Sequence, residues 1–184
     1  MSKTPSQMVA LGTTAVDFKL KNVITDDYFE FNKKTQAKAS VIFFTCNHCP
    51  YVKHINAQLV KVANQYLKKD ILFIAISSND VEKYPDDSPE LMKQVAQNEN
   101  YPFPYLYDET QEVAKAYHAA CTPDFFIFNE AHELVYRGQF DDSRPGNAIA
   151  VTGDSLTHAL NCLLEEREID TIQKPSLGCN IKWK

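Results

Sequence analysis

Apolar and polar positions change their period along the chain in an order that predicts its elements. Residues 17–23 and 29–31 nearly alternate on either side of the turn-prone Thr25-Asp26-Asp27, which predicts a hairpin. Residues 40–45 and 71–77 are instead apolar runs of strand length, the pattern of strands covered on both faces. Between them Val52, Ile55, Leu59, Val62 and Tyr66 recur at helical spacing, and Lys68-Lys69-Asp70 closes that helix with cations near its negative end. A second helix is expected over residues 88–98, with Ser88 as its cap, Pro89 in the first turn and Glu90 beside it. Pro102 and Pro104 stop any continuation; residues 105–107 suit a short strand and 110–118 a short helix. Residues 125–128 and 134–139 flank Asn129-Glu130-Ala131-His132 as an antiparallel hairpin, and 152–166 form the last helix. Strand, crossover helix, strand, then hairpin and terminal helix predict an α/β fold: a central mixed β-sheet flanked by helices, with an N-terminal β-hairpin extension.

At 184 residues, without repeats or a shift in composition, the chain reads as one domain over 1–184, with 167–184 a C-terminal tail. A formal net charge of -5 with dispersed cations argues against nucleic acid and anionic membranes as partners. No apolar run reaches the ~18 residues of a membrane span, and residues 1–12 lack the apolar centre of an export signal. A cytoplasmic location is therefore expected. Five cysteines, an odd number, exclude a fully paired disulfide framework within one chain and favour a reducing compartment.

The chemistry concentrates in Cys46-Asn47-His48-Cys49-Pro50, where a buried-type strand meets an amphipathic helix. Cysteines three apart on a first helical turn can interchange between dithiol and disulfide with little backbone movement. The helix N-terminus favours a thiolate, which designates Cys46 as nucleophile and Cys49 as the thiol that resolves the mixed disulfide. Protonated His48 would stabilise the Cys46 thiolate further, and Pro50 supplies a φ compatible with the opening turn. The product is a thiol-disulfide oxidoreductase without a bound cofactor. A reading from another class makes the segment a copper or zinc module built on Cys46, Cys49 and His48 or His54. No second Cys-x-x-Cys or His pair completes a tetrahedral site for it. His54 otherwise reads as surface, Cys162 as structural, and residues 141–145 as a solvated loop.

Cys46 and Cys49 at a strand-to-helix turn, followed far downstream by Thr122-Pro123 before a hairpin, resemble the thioredoxin superfamily. Residues 12–31, the insertion around 85–104, Phe125-Phe126-Ile127-Phe128-Asn129 and the ending Gly178-Cys179-Asn180-Ile181-Lys182-Trp183-Lys184 narrow the likeness. They resemble the redoxin branch, similar to alkyl hydroperoxide reductase and thiol-specific antioxidant proteins, in its peroxiredoxin-like form with Cys-x-x-Cys. The resemblance implies a cis Thr122–Pro123 bond lying against the dithiol, with Thr122 presenting backbone to a substrate. It also implies that Cys121 can approach the dithiol as a third redox thiol, with a small buried hydrophobe as the alternative. Cys179 lies in a segment that can fold back as a resolving or regulatory thiol, or else serve in tail packing. The substrates implied are protein or small-molecule thiols and disulfides, handled by a monomer or homodimer.

The same family supplies a runner-up, a thiol peroxidase acting on peroxide. Cys49-Pro50 matches the place of a peroxidatic cysteine, but Cys46 stands where that pattern has Thr or Ser. No arginine matches clearly; Arg137 and Arg144 are the stand-ins.

Overall fold

The computed structural model describes residues 3–184. Its strands are β1 (Lys3–Pro5), β2 (Phe18–Asn22), β3 (Tyr28–Phe31), β4 (Ala39–Phe44), β5 (Ile71–Ser77), β6 (Tyr105–Tyr107), β7 (Cys121–Thr122), β8 (Asp124–Asn129), β9 (Leu134–Gly138) and β10 (Leu177–Asn180). Its helices are α1 (Pro50–Leu67), α2 (Pro89–Asn98), α3 (Glu112–Ala116) and α4 (Asp154–Leu164), with a 3-10 turn at Pro85–Asp87. The main sheet has the order β3-β2-β6-β5-β4-β8-β9. Parallel pairing of β4 with β5 and of β5 with β6 meets antiparallel pairing of β4 with β8, so the sheet is mixed.

The central strands are apolar throughout because helices or hairpin cover both faces of the sheet. Val41, Phe43, Phe73, Ala75, Phe125 and Ile127 pack with residues of α1, α2 and α4, including Leu59, Met92 and Leu160. Their neighbours Ile42, Phe44, Ile74, Ile76, Phe126 and Phe128 face the other way, onto Phe18 and Phe31 of the front hairpin and onto Ala114 and Tyr117. Each fully buried side chain of this size stabilises the fold by roughly 1.5–3 kcal/mol, so the two faces together hold the sheet between its layers.

Local signals set the helix boundaries. Pro50 opens α1 behind its N-cap Cys49, and the Ser88 hydroxyl caps α2 by accepting from Leu91 N at 3.4 Å. The short helix expected over residues 110–118 is trimmed to α3. Gln111 takes a left-handed φ of 64°, and the Asp108 carboxylate accepts from Val113 N and Ala114 N, so the helix starts later.

A second, smaller sheet has the order β1-β10-β7, with antiparallel pairs Lys3↔Cys179 and Cys179↔Thr122. It carries part of the expected tail across the turn that holds Cys46 and Cys49. Gly178 permits the approach: a Cβ there would lie 2.0 Å from Thr122 O. Beyond β10 the chain stays pinned, with Lys182 N donating to Asn79 Oδ1 at 2.8 Å and Gln111 Nε2 donating to Lys182 O at 2.8 Å.

Candidate active site

Strand β4 ends at Phe44 and delivers the Cys-x-x-Cys turn to the N-terminus of α1. Both sulfur-bearing residues are covered, Cys46 at 2% exposure and Cys49 at 0%. The Thr122–Pro123 bond is cis and lies against them: Cys49 Sγ is 3.2 Å from Thr122 O, and Cys46 Sγ is 3.4 Å from Thr122 Oγ1. The outer backbone edge of Thr122, where the resemblance would seat a substrate, is taken by β10. That strand brings Cys179 Sγ to 2.9 Å from Cys49 Sγ. Cys46, Cys49, Cys179 and Thr122 thus form one buried cluster.

The two cysteines of the turn sit in unlike fields. The Cys46 thiol is pushed well up by the hydrogen bond it donates to Cys49, by burial and by the nearby Asp87 charge. Cys49 is drawn down to about 5, chiefly because it accepts from Cys46, against the opposing effect of burial. Cys179 and the N–H groups of Val52 and Cys179 add to its stabilisation. In its neutral form Cys49 can donate instead to Thr122 O, an oxygen that opposes ionisation. Sequence reasoning assigns the thiolate to Cys46; these fields favour the charge on Cys49.

His48 is held by a residue that sequence reasoning missed. Its Nδ1 lies 2.6 Å from Oδ2 of the buried Asp87, and its ring stacks on Tyr84 with centroids 5.5 Å apart. The bond to Asp87 raises the imidazole above its ordinary value despite desolvation. Burial would raise the Asp87 carboxyl, but bonds from His48, Asn79 and the Asn47 N–H outweigh it and hold the group below its ordinary value. Asp87 sits in the 3-10 turn before α2, and nothing in the local pattern of residues 85–89 ties it to a turn about forty residues earlier.

Among the described residues, ligand atoms of Cys46, His48 and Asp87 come within 4.8 Å of one another. The metal reading named Cys46 and His48 but not Asp87. Its Cys49 and His54 stand outside this group. A cation there would compete with the bonds Asp87 already accepts from Asn47, Asn79 and His48.

The remaining candidates fall elsewhere. Cys121 is fully buried, its sulfur 3.7 Å from Pro123 O, and burial beside Asp124 raises its thiol. Arg137 is buried and donates to Asp124 Oδ2 at 3.1 Å, to Tyr117 O and to His118 O. Arg144 donates to Asp141 O, Ser143 O and Gln139 Oε1. Neither guanidinium is directed at a sulfur by these bonds. Cys162 is buried in α4, 3.6 Å from His158 Nε2, and His54 is half-buried. The loop expected to be solvated contains two buried residues, Asp141 and Ser143, and Asp141 accepts from Thr152 N at 2.8 Å and Gly153 N at 2.7 Å. A carboxylate is needed there because those two N–H groups precede α4. A cleft beside Pro123 is lined by Tyr51, His54, Gln139, Phe140 and Arg144.

Solved structures with this fold are numerous. An uncharacterised conserved protein from Geobacillus kaustophilus shares 56% identity at a TM-score of 0.97, over 100% of this chain and 97% of that one. A hypothetical protein from Sinorhizobium meliloti shares 42% identity at a TM-score of 0.95, over 98% of each chain. A putative thioredoxin from Neisseria meningitidis, 20% identical, covers 82% of this chain and 89% of its own at a TM-score of 0.63, which establishes the thioredoxin-like fold. No curated protein matches the chain. The model of the AhpC/TSA family matches residues 11–137, more than half of the chain, and the protein belongs to that family.

Proposed function

We propose that this protein is a thiol-disulfide oxidoreductase whose Cys46 and Cys49 exchange two electrons with a disulfide substrate. The observation that carries the reading is the dithiol itself: Cys46 and Cys49 stand at the N-terminus of α1 against the cis Thr122–Pro123 bond, with Cys49 Sγ 3.2 Å from Thr122 O and Cys46 Sγ 3.4 Å from Thr122 Oγ1. In this reading the roles assigned from sequence are exchanged. The Cys49 thiolate attacks a substrate sulfur, a mixed disulfide forms, and one substrate thiolate leaves. Cys46 then attacks Cys49 Sγ, gives up its proton, and releases the second substrate thiol, leaving a Cys46–Cys49 disulfide for a dithiol reductant to reopen. The odd number of cysteines suits a reducing, cytoplasmic setting. Among the described residues no helix is long and apolar enough to cross a membrane.

One observation favours a second reading, thiol peroxidase. The acidic thiol is Cys49, followed by Pro50, the arrangement of a peroxidatic cysteine. Against it, the hydrogen bonds of Arg137 and Arg144 go to oxygen acceptors such as Asp124 and Gln139, none of them to a sulfur.

A redox titration in glutathione buffers, with alkylation and mass mapping, tests the leading reading. A reversible Cys46–Cys49 disulfide, abolished in Cys49→Ser, with sluggish response to peroxide, is expected. Rapid stoichiometric peroxide consumption by the reduced protein makes it a peroxidase, and an unreactive pair overturns both.

A further inference from the structure

We propose that Cys179 is a third redox thiol of this site: it exchanges with the Cys46–Cys49 disulfide and becomes the new partner of Cys49. The proposal rests on the oxidoreductase reading above, because that chemistry forms the first disulfide. Three features of the fold carry it. Cys179 Sγ already lies 2.9 Å from Cys49 Sγ, against a bonded distance of about 2.05 Å, so closure is a movement of under an ångström. The backbone register Cys179↔Thr122 fixes that approach, and Gly178 makes it sterically possible, since any Cβ there would strike Thr122 O. Beyond the strand, Asn79 and Gln111 hold Lys182 in place, so the segment is seated from both sides.

The step balances without an outside oxidant. Cys179, giving up its proton, attacks Cys49 Sγ; the Cys49–Cys179 bond forms as the Cys46–Cys49 bond breaks. Cys46 leaves as a thiolate and takes up the proton that Cys179 gave up. One disulfide and one thiol precede the exchange, and one of each follow it. The disulfide then staples β10 to the start of α1 and returns Cys46 to the thiol form.

Oxidised glutathione tests this on the full chain, with acid quenching, alkylation and non-reducing peptide mapping of the wild type, Cys46→Ser and Cys179→Ser. The wild type is expected to contain both Cys46–Cys49 and Cys49–Cys179 peptides, and Cys179→Ser to lose the second entirely. Cys46→Ser is expected to form Cys49–Cys179, releasing two glutathione thiols per chain. A wild type holding Cys46–Cys49 alone, or a folded Cys46→Ser protein that stalls with glutathione on Cys49, overturns the proposal and leaves the oxidoreductase reading standing. A wild type with no Cys46–Cys49 linkage overturns both. Should Cys46→Ser fail to fold, the wild-type map alone decides.

Discussion

Cys46 and Cys49 are three residues apart, yet one sulfur donates and the other collects donors. That asymmetry has a spectroscopic consequence. Thiolate absorbance of the reduced protein is expected to appear in one step with a midpoint near pH 5, absent in Cys49→Ser and moved upward in Cys46→Ala, which removes the strongest donor. A single step near the ordinary thiol value of about 8.5 would remove Cys49 as the charged member. The His48–Asp87 pair makes a prediction of its own. His48 binds its proton more tightly when folded, so its contribution is full below its ordinary value of 6.5 and fades as pH rises through the raised one. Asp87 contributes fully above 3.8 and loses its share as pH falls through the lowered one. The pair is therefore most stabilising between those limits. His48→Gln should cost roughly 1.5–3 kcal/mol near pH 5.5 by urea denaturation, and less near pH 8.5. An equal loss at both values would show that the charge is not what matters. The dithiol was legible because its spacing is local and chemical. Asp87 was not, since its meaning depends on a loop folding back across about forty residues.

Elements with a strong period were readable, and those without one were not. The apolar run over residues 40–45 and the helical spacing from Val52 to Tyr66 each predict their own element, found at β4 and α1, because burial on two faces or on one stripe writes itself into consecutive residues. Strands β1, β7 and β10 are two to four residues long and pair with segments far away in sequence, as in Lys3↔Cys179. No periodicity accumulates over such a length. The element they form nevertheless has a sharp sensitivity at Gly178. Gly178→Ala places a methyl group against backbone, not against a flexible side chain, so β10 must shift away from β7. A loss of about 1–3 kcal/mol and faster amide exchange confined to residues 177–180 are expected. Unchanged exchange there would mean that the pairing tolerates the displacement.

Across the whole molecule, polar side chains join segments far apart in sequence. Asp87 ties the His48 turn to Asn79, and Asn79 in turn receives Lys182 N, so the dithiol and the last residues share one hydrogen-bond network. On the other side, Arg137 joins β9 to Asp124 at the start of β8 and to the carbonyls after α3. Removing one member of a buried pair leaves the other uncompensated, so Arg137→Met should cost about 3–5 kcal/mol. Burial already raises Asp124 to about 7 against the pull of Arg137. Without that cation it would rise further, and because the folded state then holds a proton the unfolded chain releases, the loss should widen as pH increases. Denaturation midpoints at several pH values check both the size and the slope. The antiparallel seat of β10 also has a mechanical meaning. A cargo fused behind Lys184 would pull first on the bonds that hold Lys182 and Lys184 to Asn79 and Gln111 and, once these part, on the β7–β10 seam, drawing the Cys179 sulfur away from Cys49. Force applied to the end of the chain would then act as an effector of its redox chemistry.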